Sequence, residues 1–233
     1  MRKKLLILLL VFPWYLCSQE IVERKLLSDV VGQNIREYKK KAKIAILHKD
    51  YERAQFLFDS IVTHVINGSY LDNFRVRRSS GRRFELHRFD KPIFMITSAS
   101  WVATGPGEIP ALNSIADEYS EQIDFLVLFW GSKKKLRKLK KKYSKNICIL
   151  FVNERENTND HTIRSLKHSL GFPTSFLISD TKEVLDVRRN VQHPYSKDFT
   201  KSYNRHYQAF MGSLSVLLQV ETDSTSAPNQ MND

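Results

Sequence analysis

Four short apolar runs, at residues 93–96, 125–130, 147–152 and 175–178, alternate with segments whose apolar residues recur at helical spacing. Unbroken runs of that length read as strands buried on both faces, so they require helices above and below the sheet they form. The helical segments are 107–119, with Leu112, Ile115, Ala116 and Tyr119 on one side, then 133–143, 162–170 and 201–220. Two strands with a period of two precede them, Phe74 and Val76 pairing across Ser79-Ser80-Gly81 with Phe84 and Leu86, and a further strand covers 184–187. The pattern predicts an α/β domain: a central mixed sheet flanked by helices, entered through an N-terminal β-hairpin.

Upstream, Ile35, Tyr38, Ala42 and Ala45, then Tyr51, Ala54, Phe58, Ile61 and Val65, mark two helices broken at Lys49-Asp50. The second resembles half of a tetratricopeptide repeat. No second copy follows, and such repeats need stacked neighbours, so the expectation is a lone helical hairpin packed on the next domain. The extreme N-terminus reads as a secretory leader: Arg2, Lys3 and Lys4, then an apolar stretch from Leu5 to Phe12 closed by Pro13, with cleavage near Ser18. An acylated Cys17 is disfavoured because Trp14, Tyr15 and Leu16 are bulky where a lipobox needs small residues. The expected divisions are therefore a signal peptide at 1–18, a helical annex at 19–68, the α/β domain with its final helix at 69–220, and a disordered polar tail at 221–233. The expected location is exported, periplasmic or secreted.

The chain carries 37 Lys plus Arg against 25 Asp plus Glu, a formal charge of +12. Loss of the leader leaves 34 against 25, or +9. In an exported protein this surplus fits an anionic envelope surface, and no nucleic-acid partner is expected. Its densest parts are the run Lys133 to Tyr143, where Leu136, Leu139 and Tyr143 form an apolar face with the cations in water, and the cluster Arg75, Arg77, Arg78, Arg82 and Arg83. Two cysteines, Cys17 and Cys148, exclude a disulfide-stapled scaffold and a cysteine-rich zinc module. The histidines at 48, 64, 87, 161, 168, 193 and 206 show no ligand spacing. They are expected at the surface or at helix caps, and neither metal nor cofactor is expected.

The stretch Ser100-Trp101-Val102-Ala103-Thr104-Gly105-Pro106-Gly107-Glu108-Ile109-Pro110-Ala111-Leu112 resembles the thioredoxin-like superfamily, in particular its exported TlpA/ResA-type thiol–disulfide oxidoreductases. The resemblance spans about residues 72–187. Asp72-Asn73-Phe74 to Leu86 is similar to the family's entry hairpin and Lys91 to Ile96 to its central strand. Trp101 is similar to the tryptophan before the redox motif, and Gly171-Phe172-Pro173-Thr174 to the cis-proline loop. It implies a thioredoxin-like fold preceded by the helical hairpin.

Where the family has Cys-x-x-Cys this chain has Val102, Ala103, Thr104 and Gly105. A gapped register puts Thr104-Gly105-Pro106-Gly107 there instead, also without sulfur. Dithiol exchange needs an attacking thiolate and a resolving thiol, so the activity is in doubt where the fold is not. The resemblance leaves a groove of Trp101, Thr104, Glu108, Phe172 and Pro173, whose backbone can pair with an extended peptide. Glu108 matches the carboxylate the family keeps beside its thiols. With no thiol to serve, it is expected as a solvated or helix-N-terminal acid. Cys148 is expected as a core cysteine.

Three readings stay open: a non-redox binding or chaperone-like module of the envelope with a protein or peptide partner, a monothiol or oxidoreductase-like enzyme using Cys148 or Glu108, and a structural subunit of an envelope assembly.

Overall fold

The computed structural model describes residues 24–78, 80–99, 101–130, 133–152, 166–167, 170–189 and 197–225. The leader with Cys17, most of the expected 162–170 helix, Ser79, Ser100 and His161, His168 and His193 lie outside these residues. In chain order the elements are α1 (Leu27–Leu47), α2 (Tyr51–Ile61, continued by a π turn Val62–Ile66), β1 (Arg75–Arg78), β2 (Arg83–Glu85), β3 (Ile93–Ala99), α3 (Glu108–Tyr119), β4 (Asp124–Trp130), α4 (Lys133–Lys140), β5 (Ile147–Phe151), β6 (Thr174–Ile178), β7 (Val184–Arg189) and α5 (Phe199–Thr225). The last helix runs five residues into the segment expected as a disordered tail.

Among the described residues seven strands make one mixed sheet in the order β2-β1-β5-β4-β3-β6-β7. The centre is parallel, β3 pairing β4 and β4 pairing β5, while β6, β7 and the entry hairpin run antiparallel. The pleat sends Ile93, Met95 and Ala99 of β3 to one face and Phe94 and Ile96 to the other. Leu126, Leu128 and Trp130 of β4 go with the first set, Phe125, Val127 and Phe129 with the second. Both sets are buried, which is why these strands read as unbroken apolar runs.

The first face is covered by the helical hairpin: Leu27, Val31, Tyr38, Phe58, Ile61 and Ile66 pack in the same cluster as Met95, Leu126 and Phe176. The hairpin is thus part of the domain's core. Asp72 fixes its start, accepting from the Ser28 backbone N–H at 2.9 Å and the Ser28 hydroxyl at 2.5 Å. Asp50 caps α2 by accepting from the Arg53 N–H at 2.9 Å. Arg189 of β7 lies 4.3 Å over the Phe58 ring and donates to the Tyr38 hydroxyl.

The second face is covered by α3, α4 and α5, with Leu112, Ile115, Leu136, Phe210 and Leu214 in one cluster. Asp186 of β7 accepts from Arg188 at 2.6 Å and from Ser213 of α5 at 2.7 Å, and Arg188 also donates to the Gly212 carbonyl at 2.8 Å. These bonds hold α5 along β7, with its first turns against the start of α3.

Candidate functional site

The β3–β6 ladder ends at Thr97 opposite Thr174, where the Thr97 hydroxyl donates to the Thr174 carbonyl at 3.1 Å. Beyond that rung the chain leaves β3 into residues 101–107 on one side and enters β6 from Gly171-Phe172-Pro173 on the other. Gly171 holds a φ of 87°, a left-handed turn that favours glycine, and its carbonyl accepts from the Thr174 hydroxyl at 2.9 Å. The Phe172–Pro173 peptide bond is cis. The two segments touch through aromatic rings: buried Trp130 lies 5.2 Å from Phe172, and Phe172 packs edge-on against Trp101 at 6.3 Å. Trp101 is 65% exposed, so this stack runs from the core to the surface.

A parallel β3–β4 crossover through α3, an antiparallel β6–β7 pair beyond β3, and a cis-proline loop beside the turn that starts α3 together decide the architecture. The fold is thioredoxin-like.

No protein-family model and no curated protein matches the chain. Among solved structures it is similar to a thioredoxin-like protein from Bacteroides caccae, with 14% identity, a TM-score of 0.46 and coverage of 70% of this chain and 55% of that one. It therefore spans little more than half of that relative. A thio-disulfide isomerase from Thermus thermophilus has 18% identity, a TM-score of 0.45 and coverage of 64% and 97%. An exposed lipoprotein thioredoxin from Streptococcus pneumoniae has 15% identity, a TM-score of 0.42 and coverage of 60% and 99%.

The helix α5 lies close against residues 105–107, at the start of α3. A Cβ built on Gly105 would meet the Ser202 hydroxyl oxygen at 2.7 Å and the His206 ring at 2.9 Å. On Gly107 it would meet the Tyr203 backbone nitrogen at 2.1 Å and Cα at 2.5 Å. Neither glycine has a positive φ, and Gly107 sits at φ −94°, ψ −6°, where any residue fits. Close approach of α5, not turn geometry, is what requires glycine here. The Gly107 N–H donates to the Ser202 hydroxyl at 3.1 Å, so the contact is bonded as well as tight.

Under that contact lies a buried acid and base. Glu108 stands at the N-terminus of α3 as expected but is 7% exposed and so not solvated, and His206, 3% exposed, is not at the surface where it was expected. The reason is the same for each, since α5 crosses the start of α3 and seals both side chains beneath it. The Glu108 Oε2 accepts from the Gly105 N–H at 3.3 Å and lies 3.7 Å from His206 Nε2. His206 Nδ1 sits 2.7 Å from the Ser202 carbonyl, which can only accept, so Nδ1 carries a proton. In the neutral ring Nε2 is then a bare lone pair facing the carboxyl. Burial pushes the Glu108 carboxyl up to about 7, with the Gly105 N–H opposing, so its neutral form is favoured more than a carboxyl's in water. Burial lowers the His206 pKa; the Ser202 carbonyl opposes that shift and Arg205 adds to it. The pKa of Tyr143, partly buried beside the same cluster, is raised chiefly by burial and further by Glu108 when that carboxyl is ionised.

The remaining expected residues take the following places. Val102 is half-buried against the helical-hairpin side of the core, Ala103 is exposed, and Thr104 is half-buried and engaged in an interaction of its own. Cys148 is half-buried instead of fully enclosed, because it lies on β5 near the entry hairpin, only two rungs of which cover that strand. It pairs with Leu126, three residues and about 10 Å short of the strand ends that carry the site. Burial raises its pKa, with Arg78 opposing, which disfavours the thiolate. Leu136 of the basic helix is buried, with Leu139 and Tyr143 packed beside it. Among the described residues no cluster of His, Cys, Asp and Glu is arranged to hold a metal, and no helix is long and apolar enough to cross a membrane.

Sequence reasoning missed Ser202, Tyr203 and His206. Their signal was present: Ser202, His206, Phe210 and Leu214 repeat every fourth residue, so a serine and a histidine sit on the stripe that faces the core.

Proposed function

We propose that this chain is an exported, non-redox thioredoxin-like binding module that captures extended polypeptide on the Trp101–Phe172 platform. The observation that supports the reading is the seating of α5 on Gly105 and Gly107, the residues that the two registers of the resemblance align with a second cysteine. A chain that had merely lost two sulfurs would keep the space for them. Here the space belongs to Ser202, Tyr203 and His206. What faces outward is an exposed indole backed by Phe172 and Trp130, an apolar anchor of the kind that dominates binding energy at interfaces. The β3–β6 ladder stops before Phe172 and Pro173, which leaves that backbone beside the platform for strand-like pairing. Export is supported by the leader pattern at 1–18.

A permanently unfolded, carboxymethylated polypeptide titrated against the processed chain should quench or shift Trp101 fluorescence saturably. Trp101→Ala should bind it at least about tenfold more weakly, on the order of 2 kcal/mol, with an unchanged melting curve because the indole is exposed. Equal affinity of the variant and the parent, measured by anisotropy of labelled polypeptide, would overturn this assignment of the platform.

A further inference from the structure

Exposed apolar side chains are not scattered over this molecule. Of the eight large ones among the described residues, five lie between Ile44 and Phe56, around the corner that joins α1 to α2. Ile44 is 51%, Ile46 52%, Leu47 71% and Tyr51 65% exposed. The corner is built, not frayed: Lys49 takes a φ of 56°, the Asp50 N–H bonds to the Ala45 carbonyl at 2.9 Å, and the Asp50 side chain caps α2. On α1 the buried face is Val31, Tyr38, Ala42 and Ala45, so Lys40, Ile44 and Leu47 share the opposite, outward face.

The charge around this tip is predominantly positive. Between residues 39 and 56 stand six cations, Lys39, Lys40, Lys41, Lys43, Lys49 and Arg53, against two acids, Asp50 and Glu52, with the Asp50 carboxylate capping α2. A second copy of the chain would bring like charge against like charge. The tip needs a partner that is anionic at its surface and apolar just beneath, and that description fits a bilayer containing acidic phospholipid. Cations meet the headgroups while Ile44, Ile46 and Leu47 enter the headgroup–acyl boundary, and tyrosine suits the interface itself. We infer that the α1–α2 corner docks the protein on an anionic lipid surface. The tip and the Trp101 platform share no residue, so this inference does not depend on the platform's assignment.

The test uses residues 19–233, which keep every described residue and omit the apolar leader, in flotation with phosphatidylglycerol–phosphatidylcholine vesicles and with phosphatidylcholine vesicles alone. The expected result is at least tenfold tighter association with the acidic vesicles, weakened by salt. The double variant Ile44→Asp/Leu47→Asp should lose at least tenfold of that binding, and Lys40→Glu/Lys43→Glu most of it, both keeping the parent's melting curve because these side chains are exposed. Equal binding of the parent to neutral and acidic vesicles would overturn the inference. So would undiminished binding of both variants, or capture of an acidic protein by the tip with no vesicle association. None of these outcomes bears on polypeptide binding at Trp101.

Discussion

Replacing Gly107 by alanine should cost about 3 kcal/mol or more, and with it roughly 10 °C of melting temperature in a fold of this size. The residue's dihedral angles suit alanine, so there is no conformational penalty to invoke. The cost is steric: the added carbon would stand 2.1 Å from a backbone nitrogen and 2.5 Å from the adjacent Cα of α5, groups that cannot rotate away. The first turns of α5 must lift, breaking the Gly107–Ser202 hydrogen bond and opening the Glu108–His206 contact to water. Gly32, on the exposed side of α1 with nothing within 4 Å of an added Cβ, supplies the contrast. Gly32→Ala should stabilise by about 0.5–1 kcal/mol through helix propensity. Thermal or urea unfolding of the two variants checks both, and a Gly107→Ala protein as stable as the parent would mean that α5 does not sit on the motif.

The second large effect is on pH dependence. A carboxyl at about 7 when folded and about 4.5 when unfolded keeps a proton in the native state that the unfolded chain has released. Its contribution is therefore fully present below pH 4.5 and is lost as pH rises through 7, a fall of about 3 kcal/mol across the window. His206 works from the other side. Its lowered pKa means the unfolded chain takes up a proton first as pH falls below about 6.5, so stability declines toward acid. Glu108→Gln removes the first effect and leaves the second. The variant should be more stable than the parent by about 3 kcal/mol at pH 8, with the advantage shrinking through pH 7 and gone near pH 4.5. Urea unfolding at pH 5 and pH 8 measures it, and an advantage that does not change with pH would place the carboxylate in water.

Both effects come from a contact that the sequence concealed, and the reason is specific. Strand positions were legible because burial on both faces leaves unbroken apolar runs: the run at 93–96 marks β3, although the strand continues through Thr97 and Ser98, polar residues buried on the ladder. Trp101, Phe172 and Pro173 were legible as landmarks, and the sheet register brings the Trp101 and Phe172 rings together. Gly105 and Gly107 drew attention only because the resemblance aligns them with cysteines, and not as contact points. Their cause lies in Ser202, 95 residues beyond Gly107: the four-residue stripe on α5 marks a core-facing side but not which segment it meets. His206 read as one of seven unremarkable histidines for the same reason: its burial depends on where α5 crosses α3. The helical hairpin, expected as an annex, shares the sheet's core because Tyr38 and Phe58 meet Arg189, a pairing visible only in three dimensions.

The central proposal is that a thioredoxin-like scaffold here serves recognition, with the segment that the resemblance aligns with a redox motif closed by its own last helix. Dithiothreitol-coupled reduction of insulin disulfides tests it most directly, run with residues 19–233 and with their Cys148→Ala variant. Both should stay at the uncatalysed rate. Turnover by the parent that vanishes in Cys148→Ala would contradict the account and make the lone thiol the catalyst.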